Sequence, residues 1–284
     1  MLMHQMTKTM FDLAVTDSAH GVLFGGAPGA GKYGLARVFA AQKLGLATES
    51  ELDIYPYLRI VEQDKQTITI EQIRDLQKFL QLKTPGDAPV RRVVIIRDAH
   101  LMTSEAQNAL LKSLEEPPAD TVFVLTAPTS LRLQETIYSR VQTVLVLPVT
   151  EAEALKYYAG TYDEPEIRRA FLLSSGHAGL MDAMLTNTEH PLNDEIELAK
   201  TLMKMSVFER LCQVEQLSKQ KERLPLFLQG CKLICMSALK QASSKSPGAA
   251  RSWQQRLKLV YAAEESLPKN PNSKLLLTHL LLEL

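Results

Sequence analysis

The sequence is poor in cysteine, carries no excess of charge of either sign and has no long apolar run. Three cysteines in 284 residues, Cys212, Cys231 and Cys235, are too few for a disulfide framework. Their odd number and late position suit a reducing compartment. The 32 Lys and Arg residues balance 32 Asp and Glu, so the chain lacks the basic footprint of a free-standing nucleic-acid binder. A neutral member of a basic assembly stays open. No apolar run reaches the ~18 residues of a membrane span. The longest, Leu275 to Leu284, is interrupted by Thr278 and His279. Residues 1–16 lack the apolar core and cleavage site of a signal peptide. Internal repeats and low-complexity segments are missing too, and the Lys- and Ser-rich stretch near 243–248 reads as a loop. The expectation is a soluble cytoplasmic protein without a membrane partner.

What is present is an ordinary globular balance, 45% hydrophobic and 23% charged. The length suits about two domains. The first half alternates strand and helix signals. Val22 to Phe24 is a short apolar run ending in glycines, and a helical pattern follows over 32–44 with Leu35, Val38, Phe39 and Leu44 on one face. Ile70, Ile73, Leu76 and Leu80 predict a helix over 70–82, with Thr69 and Gln72 as its capping box. Segments 92–96, 121–126 and 143–147 read as buried strands, and 104–115 as a helix stopped by Pro117 and Pro118. Buried strands alternating with helices predict an α/β fold, a parallel sheet covered on both faces. After Pro148 the strand signals vanish. Boundaries near 150 and 190 divide the chain into 1–150, 151–190 and 191–284. The last two segments are helical, with breaks near Pro225 and over Ser244 to Gly248.

Gly26-Ala27-Pro28-Gly29-Ala30-Gly31-Lys32 fits the phosphate-loop pattern G-x-x-x-x-G-K, between an apolar strand and a helix. Glycines let successive N–H groups turn toward phosphate oxygens, and the helix N-terminus adds a favourable dipole. Lys32 supplies a point charge to the β- and γ-phosphates. The plain alternative is a glycine-rich turn before a lysine; the strand–loop–helix context argues against it. The next residue of an active loop is Ser or Thr, whose hydroxyl holds Mg²⁺. Here it is Tyr33. A later strand should end in an acid that supports the metal. Here Val93 to Ile96 runs into Arg97, a fixed cation that would repel Mg²⁺ or contact phosphate itself. Asp98 follows. Neighbouring strand residues face opposite ways, so Asp98 cannot replace the missing acid without a change of register. It falls where a water-polarising Glu usually lies, with a shorter side chain. His100 has no partner at metal-ligand spacing and reads as a loop or helix-start residue.

Residues 108–118, Asn-Ala-Leu-Leu-Lys-Ser-Leu-Glu-Glu-Pro-Pro, resemble the signature stretch of bacterial clamp-loader subunits. Residues 136–141, Thr-Ile-Tyr-Ser-Arg-Val, are similar to that family's Ser-Arg-Cys motif, with Val141 in place of cysteine. Segments 20–24 and 70–76 fit as well. The resemblance covers about 20–148 and fades beyond 190. It implies an AAA+ P-loop module over 1–150, a small helical lid over 151–190 and an all-α collar for oligomerisation over 191–284. It implies partners: the gamma/tau and delta subunits of a ring, a sliding clamp, and primed DNA reached through the assembly. It also implies that Arg140 is an arginine finger reaching a neighbouring subunit's ATP. A guanidinium fork stabilises charge on a transferring phosphoryl group, an effect worth ~10³–10⁵ in rate when supplied in trans. A plain helix-end arginine is the alternative.

The departures from the family's active subunits agree in direction. Met181 stands where the lid carries a γ-phosphate-sensing arginine, and is expected to pack in the core. No cysteine occurs over 33–92, so the family's four-cysteine zinc module is missing, and Cys231 and Cys235 are expected to be core thiols. The site residues are therefore Gly26, Pro28, Gly29, Gly31, Lys32 and Tyr33 for ATP or ADP held weakly or vestigially, with Asp98 a doubtful acid, Mg²⁺ doubtful and no zinc. Little or no ATPase activity is expected of the chain alone, with Arg140 donated to a neighbour. The alternatives are an active motor subunit of the gamma/tau kind, or another AAA+ replication or recombination protein. Lys83, Arg91 and Arg92 are candidate DNA contacts, although a cluster of this size is usually a solvated surface. In the last third, the Leu202–Met205–Phe208 series and the stripe Trp253, Leu257, Val260 and Tyr261 read as bundle core. The apolar 275–284 end is expected to pack between subunits.

Overall fold

The computed structural model describes residues 1–64, 66–129, 133–243, 246–267 and 271–284. The chain forms two compact units, Met1–Glu153 and Ala154–Leu284.

In the first unit, helix α1 (Gln5–Thr16) leads into strand β1 (Gly21–Gly25) and helix α2 (Lys32–Leu44). There follow β2 (Leu58–Val61), α3 (Ile70–Leu80), β3 (Arg92–Ile96), α4 (Ser104–Glu115), β4 (Thr121–Ala127), α5 (Glu135–Tyr138) and β5 (Gln142–Leu145). The strands pair in parallel in the order β2-β3-β4-β1-β5. The covered parallel sheet is as expected. Strand β2 and helix α1 carry no expectation from the sequence. The alternating Leu58-Arg59-Ile60-Val61 pattern is the signal for the first.

Strand alternation sends residues to two separate apolar layers. Val22 and Phe24, Val93 and Ile95, and Val122 and Val124 pack with Phe11 of α1 and Leu35, Ala36 and Phe39 of α2. Leu23, Val94, Ile96, Phe123 and Leu125 face the other way, against Ile73 and Leu76 of α3 and Leu110 of α4. Phe11, Phe24 and Phe39 form a mutual ring cluster with centroids 5.7–6.0 Å apart. Truncating one such buried ring to Ala typically costs about 3–5 kcal/mol. Helix α3 starts on its capping box, Gln72 Oε1 accepting from the Thr69 amide at 2.9 Å. Gly45, in the left-handed region at φ 68°, ends α2 and donates to the Ala41 and Gln42 carbonyls.

Arg92 is not part of a basic surface. It is buried at the start of β3, and its guanidinium donates to the carbonyls of Leu80 and Leu82 and lies 5.4 Å from the Phe79 ring centroid. A cation at a helix C-terminus satisfies orphan carbonyls and complements the dipole. Arg91 is also engaged, with Thr84 at 3.1 Å and Asp120 at 3.5 Å. The candidate DNA cluster is thereby reduced to Lys83.

The second unit is helical: α6 (Glu151–Tyr158), whose first turn precedes the division, then α7 (Glu164–Ser174), α8 (Ala178–Thr186), α9 (Pro191–Lys204), α10 (Val207–Cys212), α11 (Val214–Lys219), α12 (Leu224–Ser243), α13 (Pro247–Ser266) and α14 (Ser273–Glu283). Pro191 opens α9, and Gly160 and Gly176 adopt positive φ between helices. The expected break near Pro225 falls between the end of α11 at Lys219 and the start of α12 at Leu224, with Pro225 in the first turn of α12, where a missing N–H costs nothing. Of the expected break over 244–248, Ser244 and Lys245 lie outside the described residues. One apolar cluster joins Leu180, Leu192, Ile196, Leu228, Leu233, Val260, Leu277 and Leu281. Met181 is fully buried, as expected.

One expectation needs correction here. Phe208 is 77% exposed, because α10 turns that face outward; Tyr261 is also largely exposed, beside Lys232. The 275–284 end packs into its own bundle through Leu277, Leu280, Leu281 and Leu284, leaving Leu275 and Leu282 outward. Its apolar character is accounted for mainly by the intrachain core.

Helices α9 and α12 meet at Gly230, where a Cβ would lie 2.8 Å from the carbonyl carbon and oxygen of Glu195. The Glu195 side chain is buried and paired with Arg223 at 2.6 Å, so the crossing also holds a compensated charge. Helix propensity alone favours Ala over Gly by about 1 kcal/mol. Overpacking opposes it, and Gly230→Ala is expected to lower stability by about 1–3 kcal/mol in urea denaturation. A raised midpoint would contradict this close approach.

Candidate nucleotide site

The 26–31 loop leaves the C-terminal end of β1, which lies between β4 and β5. In open α/β sheets this edge is where ligands bind. The loop is closed by short backbone bonds: Gly26 N–H to Ala127 O at 3.2 Å, and Ala30 N–H to Ala27 O at 3.2 Å. Gly29 and Gly31 sit at φ 80° and 88°, where other residues are strained. A Cβ on Gly26 would come 2.8 Å from the Val146 carbonyl oxygen. Pro28 forms the half-buried crest. Lys32 folds back over the loop, its Nζ donating to the Gly26 and Ala27 carbonyls at 2.9 Å each. Burial pushes the Lys32 ammonium below its ordinary pKa, and the charge of Asp98 acts in the opposite direction.

On the metal side, Tyr33 and Arg97 meet. The Arg97 guanidinium lies 4.9 Å from the Tyr33 ring centroid. Glu62 at 3.4 Å and Asp98 at 3.7 Å flank the same guanidinium. These residues do not fit a divalent cation. A phenol ring and a fixed positive charge occupy the positions that would hold it, and the nearby carboxylates face Arg97 instead. The phosphate-facing half, glycines and Lys32, is intact.

Asp98 departs from the expected geometry. Strand β3 ends at Ile96, and Asp98 takes a left-handed conformation at φ 51°, so strand alternation does not govern where it points. Its amide donates to Thr126 Oγ1 at 2.9 Å, at the end of β4. Thr126 was missed by sequence reasoning; a buried hydroxyl closing the apolar run 122–125 is the signal that could have found it. His100 lies in a single 3₁₀ turn, Ala99–Leu101.

Arg140 lies elsewhere. It lies two residues before β5, whose Gln142 pairs with Val22, and its carbonyl oxygen would be 3.3 Å from a Cβ on Gly21. It is therefore at the N-terminal end of β1 while the loop is at the other end, roughly 16 Å away at the rise of a strand. Its Nη1 donates to Thr136 O at 2.8 Å and to Ser139 Oγ at 3.0 Å, and its Nη2 to Glu115 Oε1 at 2.7 Å. The two signature stretches, distant in sequence, thus meet through one guanidinium. Val141 is buried in the adjoining apolar layer, a place a small thiol would also fill.

A parallel sheet in this order, with a glycine-rich loop and lysine after β1 and helices on both faces, defines a P-loop module of the AAA+ type. A family model described as "DNA polymerase III, delta subunit" matches residues 4–150, and the chain belongs to that family. The DNA polymerase III subunit delta' of Pseudomonas aeruginosa is 36% identical over 180 residues, 57% of this chain and 54% of that protein. The delta' subunit of Escherichia coli is 34% identical over 126 residues, covering 43% and 37% respectively. The tau subunit of Salmonella typhimurium is 32% identical over 155 residues, covering 48% and 23%. These matches span about half of the first relative and less of the others. Over the whole length, a gamma subunit-related protein of DNA polymerase III from Thermotoga maritima shares the fold at a TM-score of 0.57 and 20% identity, covering 98% of this chain and 97% of that one.

Among the described residues no three His, Cys, Asp or Glu side chains group to hold a metal, and no helix is long and apolar enough to cross a membrane. Cys231 and Cys235 are buried, and burial pushes both thiols up, Cys235 to about 11. Cys212 is exposed. A thiol-reactive disulfide reagent at pH 8 should therefore label one cysteine quickly in the folded chain and three after denaturation. Rapid labelling of all three without denaturant would contradict the buried assignment.

Proposed function

We propose that the chain is a delta-prime-like subunit of a DNA polymerase III clamp loader, helping to place a sliding clamp on primed DNA during replication. It works within a hetero-oligomeric ring containing gamma/tau and delta subunits, with residues 151–190 as lid and 191–284 as collar. Its own nucleotide site is degenerate and turns over little or nothing. Its chemical contribution is Arg140, offered to the ATP of a neighbouring subunit.

The position of Arg140 carries this reading. Its backbone adjoins Gly21, so the sheet itself separates it from the loop of its own chain. A guanidinium at that edge serves phosphate only on another molecule. Glu115, Ser139 and the Thr136 carbonyl hold the fork in one place while about a third of it stays exposed. Such preorganisation reduces the entropy lost when a phosphoryl group is met. On a neighbour's γ-phosphate the guanidinium would exchange Glu115 for the developing negative charge.

The intact glycines, Lys32 and the similarity to tau subunits favour the second reading, an active motor subunit. Steady-state hydrolysis of Mg-ATP by the purified chain separates the two. The expected result is no turnover that depends on Lys32, so that Lys32→Ala and the native chain give the same background. Clear turnover abolished by Lys32→Ala would put the motor-subunit reading first.

A further inference from the structure

Tyr33 and Arg97 look like two independent losses in the sequence, yet their side chains form one contact. These are the two positions from which a P-loop protein holds its metal. Here the cation at the site is the guanidinium itself, against the ring at 4.9 Å. Ring and cation attract through the π-face quadrupole, and each keeps the other in place. A metal ion entering would meet bulk from Tyr33 and repulsion from Arg97. The carboxylates within reach, Glu62 and Asp98, already face Arg97.

Charge on the phosphate side is arranged differently. Lys32 stands at the loop with neutral partners, two backbone carbonyls that phosphate oxygens would replace. Arg97 is half-exposed, and its ion pairs are long, 3.4 and 3.7 Å. Arg37, a further cation near Tyr33, is committed to Glu49 at 2.7 Å and Asp53 at 2.8 Å. Two cations, Lys32 and Arg97, are thus available where an active site would present one lysine and Mg²⁺. A guanidinium matches phosphate oxygens with paired donors.

We infer that this site takes a nucleoside di- or triphosphate free of divalent metal, with Arg97, braced on Tyr33, in the charge-neutralising role of the missing ion. Mg²⁺ then acts as a competitor: it neutralises the phosphates in solution and brings a cation toward Arg97. The inference rests on the 26–32 loop being a vestigial nucleotide site, and is independent of the role given to Arg140.

The test is calorimetric titration of ADP and of ATP into the full chain, once with EDTA and once with excess Mg²⁺. Binding should be tighter in EDTA by about tenfold or more, a difference of ~1.4 kcal/mol. Arg97→Ala should lose the metal-free binding. Tyr33→Thr combined with Arg97→Asp should reverse the preference, so that Mg²⁺ tightens binding. Circular dichroism melts of each variant verify folding. Tyr33→Thr alone should weaken metal-free binding by unbracing Arg97, a readout that stands if the double variant fails to fold. Tighter binding with Mg²⁺ in the native chain overturns the inference, and so does metal-free binding that survives Arg97→Ala. No binding up to about 1 mM nucleotide in EDTA also overturns it, while leaving the Arg140 reading untouched.

Discussion

Burying both faces of a parallel sheet is the constraint on which the first unit depends. The three central strands β3, β4 and β1 are covered by α1 and α2 on one side and by α3 and α4 on the other, which leaves little room for polar chemistry along them. Backbone bonding in the sheet satisfies the buried amides, and most side chains of these strands are apolar. Polar groups are driven to the two ends. The C-terminal end of β1 receives the glycine loop, Lys32 and, from neighbouring strands, Arg97, Asp98 and Thr126. The N-terminal edge receives Arg140. One packing rule therefore separates the glycine loop and Lys32 from the Arg140 guanidinium within the same module, and the intermolecular role proposed for Arg140 rests on that separation.

Lys32 has a physical role of its own in this loop. The ammonium caps the carbonyls of Gly26 and Ala27 inside a tight glycine loop. Unpaired backbone polar groups in such a place cost about as much as a lost hydrogen bond. Lysine is thus useful to the loop even without turnover. The replacements at Tyr33 and Arg97 likewise make sense together. The guanidinium lies 4.9 Å from the ring centroid, a contact that adds to the long ion pairs of Arg97 with Glu62 and Asp98.

Much of this was legible in the sequence because strong local signals coincided. The runs at 22–24, 92–96 and 121–126 are apolar on both faces, and the glycine loop follows the first of them. The Thr69–Gln72 cap and the Pro117–Pro118 stop are local as well. What escaped was decided by tertiary context. Arg92 looks like surface charge until the ends of α3 and β3 come together and the Leu80 and Leu82 carbonyls need a donor. Edge strand β2 is short and contains Arg59, so its pattern is faint. Asp98 was read with strand rules that stop applying two residues earlier. Phe208 was misjudged because periodicity says that a face is apolar, not which partner covers it. The meeting of Glu115 with Arg140 depends on a contact across 25 residues that no local pattern encodes.

The central claim is that this chain contributes through Arg140 rather than through its own loop. The most direct test is the ATPase rate of the reconstituted clamp-loader assembly carrying either Arg140→Ala or Lys32→Ala in this chain alone, with assembly verified by gel filtration. The account predicts a rate lowered by about 10²-fold or more at the neighbouring site for Arg140→Ala, and a rate close to native for Lys32→Ala. A large loss with Lys32→Ala and none with Arg140→Ala would contradict it.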